Sequence, residues 1–338
     1  MIDLLVAGGG PAGLATALYG ARAGLEVVVV ERREGVLDKA CGEGMMPHTL
    51  AHVDRLGIVP KGRPLHGISY LAGDGRVDAT FRDSAGLGVR RTVLHAALRD
   101  AADEVGVSFV HGDVGEVAQD DQSVLAAGLR ARYLVAADGL HSPIRRSLGL
   151  ELPSPGPRRW GIRRHVRVEP WSDHVEVHWA AGAEAYVTPV ADDCVGIALL
   201  KSERGGFDRH LAEFPALRER IKGVEHGADR AAGPLRQRVS HRTGGRVLLV
   251  GDAAGYVDAL TGEGLGLAFG AAELAVNCVS ADLPEAYDRQ WRRMTRRYRF
   301  LTAALLRASA VGPVRAAIVP AARALPGVFG GLVNLLAQ

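Results

Sequence analysis

Cysteine is scarce: 338 residues hold three, Cys41, Cys194 and Cys278, an odd number spaced too widely for a CxxC metal or redox pair. A disulfide framework is thereby excluded, no metal site is expected, and a reducing cytoplasm is the expected location. Charge of one sign is also lacking, because the formal net charge is only +3 and the arginines are interspersed with acids. Nucleic acid is therefore not an implied partner. No run of about twenty apolar residues is free of Gly, Pro and charge, so no membrane span is expected. The apolar start from Met1 to Ala21 has an acid at Asp3, no basic lead and a Gly8-Gly9-Gly10-Pro11 break, and reads as strand, turn and helix rather than a signal peptide.

Apolar residues are plentiful, at 47% of the chain, which suffices for a large core. Residues 3–8 form a buried parallel strand, Ala12–Arg22 carries helical spacing, Gly24 ends that helix, and Leu25–Val30 is a second buried strand. The result is one βαβ unit. A helix is expected from Pro47 to Leu56, exposed antiparallel strands over 66–82 with a turn at 73–75, and an amphipathic helix over Thr92–Val105. Short strands follow to Ala127, then a buried strand at Tyr133–Ala137. Pro153, Pro155 and Pro157 mark a linker, 160–200 alternates as several strands, a buried strand returns at Arg246–Val250, and long helices run from about Gly264.

Gly8, Gly10 and Gly13 fall in a G-x-G-x-x-G turn set directly between strand and helix, with Pro11 and Ala12 inside it. Glycine there lets backbone N–H groups approach a diphosphate at a helix N-terminus. Glu31 at the end of the next strand is placed to accept from ribose hydroxyls, with Arg32 beside it. The turn alone does not separate FAD from NAD. Two further strand-end segments do: Ala136-Ala137-Asp138-Gly139, leading into Ser142–Arg146, and Val250-Gly251-Asp252-Ala253-Ala254.

With these segments the chain, from Asp3 to about Asn277, resembles the flavoprotein superfamily of p-hydroxybenzoate hydroxylase, geranylgeranyl reductases and flavin-dependent halogenases. The resemblance implies FAD, with Asp252 on the ribityl chain and Asp138 supporting the diphosphate. Gly262, Gly264 and Leu265 open a helix whose N-terminus is expected at the flavin pyrimidine edge. Arg91 matches the stretch before the family's cofactor-facing helix and is a candidate FAD contact.

The branches differ in what stands over the flavin. The halogenase branch lacks its Trp-x-Trp-x-Ile-Pro segment, and Lys39 has no halogenase context. Cys41-Gly42-Glu43-Gly44 and Asp258–Gly264 resemble the loops of geranylgeranyl reductases, making Cys41 and Glu43 candidate catalytic residues. Cys41 also fits a small buried hydrophobe. Met46–Leu50 resembles the Pro-x-Thr-Leu helix of aromatic hydroxylases. His165, within Arg163-Arg164-His165, is a candidate substrate base, though a histidine on an alternating strand also fits a hydrogen-bonded neighbour. Arg292, Arg293, Arg296, Arg297 and Arg299 suit either anionic lipid or a solvated helix face, and Ala316–Leu336 either caps a lipophilic pocket or docks as a plain helix.

The expectation is an α/β protein with α+β insertions: a Rossmann-type FAD-binding domain over 1–152 and 241–282, a mixed β-sheet substrate domain over 153–240, and C-terminal helices over 283–338. Its function is expected to be FAD-dependent oxidoreduction with NAD(P)H as transient donor and a largely apolar small molecule as substrate. Monooxygenation of an aromatic or polyketide-like compound is placed first, saturation of isoprenoid double bonds second, and a non-catalytic flavin-binding protein third. Peripheral membrane contact is kept open.

Overall fold

The structure, a computed structural model, describes residues 1–156 and 158–337, so Pro157 of the expected linker lies outside them. Leu4 to Ala7 offer only apolar side chains and are fully buried, which makes strand β1 (Ile2–Ala7) an interior strand. Pro11 presets φ at the first position of helix α1 (Pro11–Arg22), and Gly24, at φ +80°, turns the chain into β2 (Val27–Glu31). There follow α2 (Pro47–Arg55), the hairpin β3 (Gly67–Ala72) and β4 (Gly75–Thr80), α3 (Arg91–Glu104), β5 (Ser108–His111) and β6 (Leu129–Ala136). The second half supplies β7 (Trp160–Val166), β8 (His174–Trp179), β9 (Ala183–Ala191), β10 (Cys194–Lys201), β11 (Arg230–Ala232) and β12 (Val247–Leu249). Four helices close the chain: α4 (Gly264–Ser280), α5 (Ala286–Ser309), α6 (Gly312–Ala324) and α7 (Pro326–Ala337).

Two large sheets organise these elements. In the first, β12, β6, β1, β2 and β5 lie side by side and parallel, so their carboxyl ends share one edge of the molecule. The second has the order β11-β7-β10-β9-β8-β3-β4. Its strands are not confined to 153–240, because β3 pairs in parallel with β8 and brings its hairpin partner β4 along. Nor is the hairpin the exposed pair that alternation suggests. Ser69, Val77 and Ala79 are buried, since β8 bonds one side of the hairpin while α6 and α7 pack Val319, Phe329 and Val333 into the core it shares.

The C-terminal apolar stretch is two helices, broken at Leu325–Pro326. Asn334 of α7 donates to the Thr80 carbonyl at 3.0 Å and accepts from the Arg82 N–H at 2.9 Å, anchoring α7 to the end of β4. Among the described residues no single helix is long and apolar enough to cross a membrane.

Helix α6 is held to the second sheet by buried charge. Arg315 donates to Glu184 Oε1 at 2.6 Å and to the Ala183 carbonyl at 2.7 Å, while Arg159 pairs with the other oxygen of Glu184. Glu184 is 1% exposed and is the acidic partner of Arg315, while Arg159 also faces Asp258 at 3.6 Å. Glu184→Gln is expected to cost about 3 kcal/mol, because it leaves the Arg315 cation without an acidic partner. A shift of the urea midpoint measures this, and an unchanged midpoint would assign the cluster no such weight.

Candidate functional site

Four strand ends converge. Gly8–Gly10 follows β1, Glu31 ends β2, Asp138 follows β6 and Asp252 follows β12, and all four segments line one cavity of about 1050 Å³. That position, outside the carboxyl ends of parallel strands flanking β1, is where open α/β sheets bind ligands. The turn that opens it has little freedom. Gly8 sits at φ +104°, and a Cβ on Gly13 would stand 1.8 Å from the Gly8 carbonyl oxygen, so Gly13 packs beneath the turn and does not line the cavity. Gly10 precedes α1 without a side-chain cap, and a Cβ there would meet nothing within 4 Å. The first N–H groups of α1 are thus left for an anion.

Glu31 is held in place from three directions. Its Oε2 accepts from the Gly9 N–H at 2.8 Å, and its Oε1 from the Arg33 N–H and Nε, both at 2.9 Å. Burial raises its carboxyl, but the Arg33 side chain and these N–H groups outweigh that and hold it at about 2. Arg32, by contrast, reaches outward to Asp113 at 3.8 Å and touches only the cavity rim. Arg32 is the candidate that the sequence places beside Glu31, and the Arg33 pairing was not foreseen. His95 was not foreseen either; its Nε2 bonds the Gly9 carbonyl at 2.9 Å, locking α3 to the turn.

At the next strand end, Asp138 Oδ2 accepts from the Ile144 N–H at 3.2 Å, while its buried Oδ1 has no partner. Arg145, fully buried, bonds the carbonyls of Leu140, Asp252 and Ala253 and thereby ties this loop to the Asp252 loop. Asp252 opens on the cavity and is enclosed by protein elsewhere, which raises its carboxyl, with Lys39 and Arg91 pulling the other way. Lys39 was dismissed at sequence level, yet its ammonium lies beside Gly139 in the cavity wall and has no hydrogen bond among the described residues. Enclosure lowers its pKa, and the neighbouring Arg33 and Arg91 add to that. Arg91 lines the same wall, its buried Nε without a partner. An unpartnered ammonium and a guanidinium nitrogen beside a glycine cradle fit a dinucleotide diphosphate, and the unpartnered Asp138 oxygen fits a hydroxyl or N–H donor of the same ligand.

The Cys41–Gly44 loop forms the facing wall. Its thiol sits at the cavity, and burial pushes the thiol up, so it holds its proton. Glu43 adopts a left-handed backbone at φ +61°, and its buried carboxylate accepts from the Arg91 N–H at 2.8 Å and meets His165 Nε2 at 2.6 Å. The His165 Nδ1 lies 3.0 Å from Arg163, which also binds Asp38 and the Lys39 carbonyl. His165 is therefore not a base facing substrate: both ring nitrogens are committed and the residue is absent from the cavity wall. It fastens Glu43, and through it the loop, to β7.

Gly262, Gly264 and Leu265 line the cavity at the start of α4, where Glu263 is paired with His48 at 2.8 Å. Beyond them the cavity turns apolar, walled by Ile68, Tyr70, Val177, Leu200, Leu260 and Val333. Tyr186 donates to the Leu260 carbonyl at 2.9 Å and steadies that end. Asp258, behind the loop, is raised to about 6 by burial, with Arg159 opposing.

Residues 1–200 match the FAD binding domain family. The chain belongs to this family. It is an FAD-dependent oxidoreductase. The menaquinone reductase of Mycobacterium tuberculosis is 28% identical, the match covering 78% of this chain and 72% of that protein. Digeranylgeranylglycerophospholipid reductase 2 of Methanopyrus kandleri and para-nitrophenol 4-monooxygenase of Pseudomonas sp. are each 30% identical, over 78% of this chain and 73% of theirs. The flavin-dependent brominase Bmp2 superposes with a TM-score of 0.83 at 18% identity, covering 99% of this chain and 93% of its own. At that identity it shares the fold.

Two outcomes follow from this geometry. Gly13→Ala should yield protein that no longer retains FAD, read as loss of flavin absorbance after gel filtration, whereas Lys39→Gln should retain it about tenfold more weakly; equal affinity would leave Lys39 without a cofactor role. The carboxyl of Asp258 titrates higher folded than unfolded, so its contribution to stability is present at low pH and is lost as pH rises through about 6. Asp258→Asn should flatten the stability–pH curve between about pH 4 and 6, checked by thermal melting across that window.

Proposed function

We propose that this oxidoreductase uses NAD(P)H to reduce its FAD and saturates a double bond in a largely apolar, isoprenoid-like molecule. The observation that carries this reading is the continuity of the cavity, from the charged groove at Glu31, Lys39 and Asp138 to an apolar chamber beyond Cys41. In it Glu31 would hold the adenosine ribose, the Gly8–Gly10 turn with Lys39 and Arg91 the diphosphate, and Asp252 the ribityl chain. The Cys41 loop and the start of α4 would hold the flavin ring. When bound and reduced, FAD supplies a hydride.

The chain's own residues have a complementary task. Saturation adds a proton to the carbon next to the one that takes the hydride, and the chamber is lined by neutral groups that still hold protons. These are the Cys41 thiol and the phenols of Tyr70, Tyr186 and Tyr256, all raised by burial, Tyr70 to about 12. Cys41 lies on the loop expected nearest the flavin and is the preferred donor. The apolar walls exclude water and align an extended chain. Menaquinone reductase and digeranylgeranylglycerophospholipid reductase among the relatives support this reading.

Aromatic monooxygenation is the second reading. It is favoured by the 30% identity to para-nitrophenol 4-monooxygenase and by Met46, at the head of α2, standing in the cavity wall. Three free cysteines suit a reducing compartment, and we place the protein in the cytoplasm.

Anaerobic incubation with NAD(P)H and a polyprenyl quinone or geranylgeranyl lipid should give product heavier by two hydrogens. Product formed only in air and carrying one added oxygen would replace this reading with the second. Cys41→Ala should lower kcat by about tenfold or more with FAD content unchanged, and Cys41→Ser should recover part of the loss; full activity in Cys41→Ala would leave the thiol a packing role.

A further inference from the structure

From Arg289 to the end the chain holds nine arginines and no aspartate or glutamate. The same stretch exposes Phe300, Val311, Val314, Leu325, Val328 and Leu332, each between 45% and 71% accessible. Single exposed apolar residues are ordinary, but these sit on three consecutive helices that pack on one another. Arg293, Arg296, Arg307 and Arg323 are exposed and have no acidic partner among the described residues. Arg297 donates to the Leu335 carbonyl and so brings the arginine-rich turns of α5 against the exposed edge of α7.

Helix α7 also has two working faces. Phe329 and Val333 are buried in the core of the second sheet, and Val333 and Leu336 wall the apolar chamber. On the other face Val328, Leu332 and Leu335 are exposed. One helix thickness therefore separates the chamber from an apolar, cationic surface. No single helix among the described residues is long and apolar enough to span a bilayer, and α5 and α6, which together reach that length and composition, bend by 114° where they meet.

We propose that α6 and α7 seat the protein on an anionic phospholipid surface, and that substrate enters the chamber from the lipid past α7. The apolar side chains enter the acyl boundary while the arginines meet lipid phosphates. Entry of substrate from lipid rests on the apolar-substrate reading above; the seating does not.

The test is sedimentation of the full chain, loaded with FAD, with vesicles of phosphatidylcholine alone and with equimolar phosphatidylglycerol. Pelleting is expected only with the anionic vesicles, and about tenfold weaker for the Val328→Ser/Leu332→Ser double variant or in high salt, with the flavin spectrum unchanged. Absence of pelleting, or equal pelleting by the double variant, overturns the proposal. So does a wild-type dimer that the double variant dissolves, which would assign the face to a second copy of the chain. Turnover of detergent-dispersed substrate reports on the chamber separately, since neither substituted residue lines it.

Discussion

The van der Waals contact between Gly13 and the Gly8 carbonyl governs the rest of the molecule. It lets α1 start directly off the end of β1, which in turn leaves the first N–H groups of that helix uncovered at the centre of the sheet edge. Any side chain at Gly13 would lever the helix away. The loops after β2, β6 and β12 then meet at that spot because β2 and β6 flank β1, β12 lies beside β6, and all four run parallel, and no other feature is needed to gather residues so far apart in order.

Around that centre the protein separates charge by function. Arg145 and Glu43 are buried with hydrogen-bond partners, as is Arg163 apart from its Nε, and they hold loops in place. Among the described residues the Lys39 ammonium, the Arg91 Nε and one Asp138 oxygen have no hydrogen bond, and all three residues line the cavity.

Much of this was legible in the chain. The glycine spacing, the acid ending β2 and the two strand-end aspartates are local signals, and each strand bearing them is an unbroken apolar run that only an interior parallel sheet explains. What escaped was set by partners remote in sequence. His165 reads as a candidate base until Glu43, on a different element, is seen to occupy its ring nitrogen. Lys39 was invisible because its meaning comes from what surrounds it without touching it. The hairpin at 67–80 alternates as an exposed pair would, and β8 together with the helices at the far end of the chain accounts for its burial.

That hairpin has an evolutionary corollary. Because β3 is hydrogen-bonded to β8, the apolar wall of the cavity is woven from two separate stretches of chain and is not a cassette inserted at one point. Grafting the 160–232 strands from a relative would leave a sheet edge facing a foreign hairpin, so a change of substrate preference in this scaffold has to be written into two separate stretches of the gene at once.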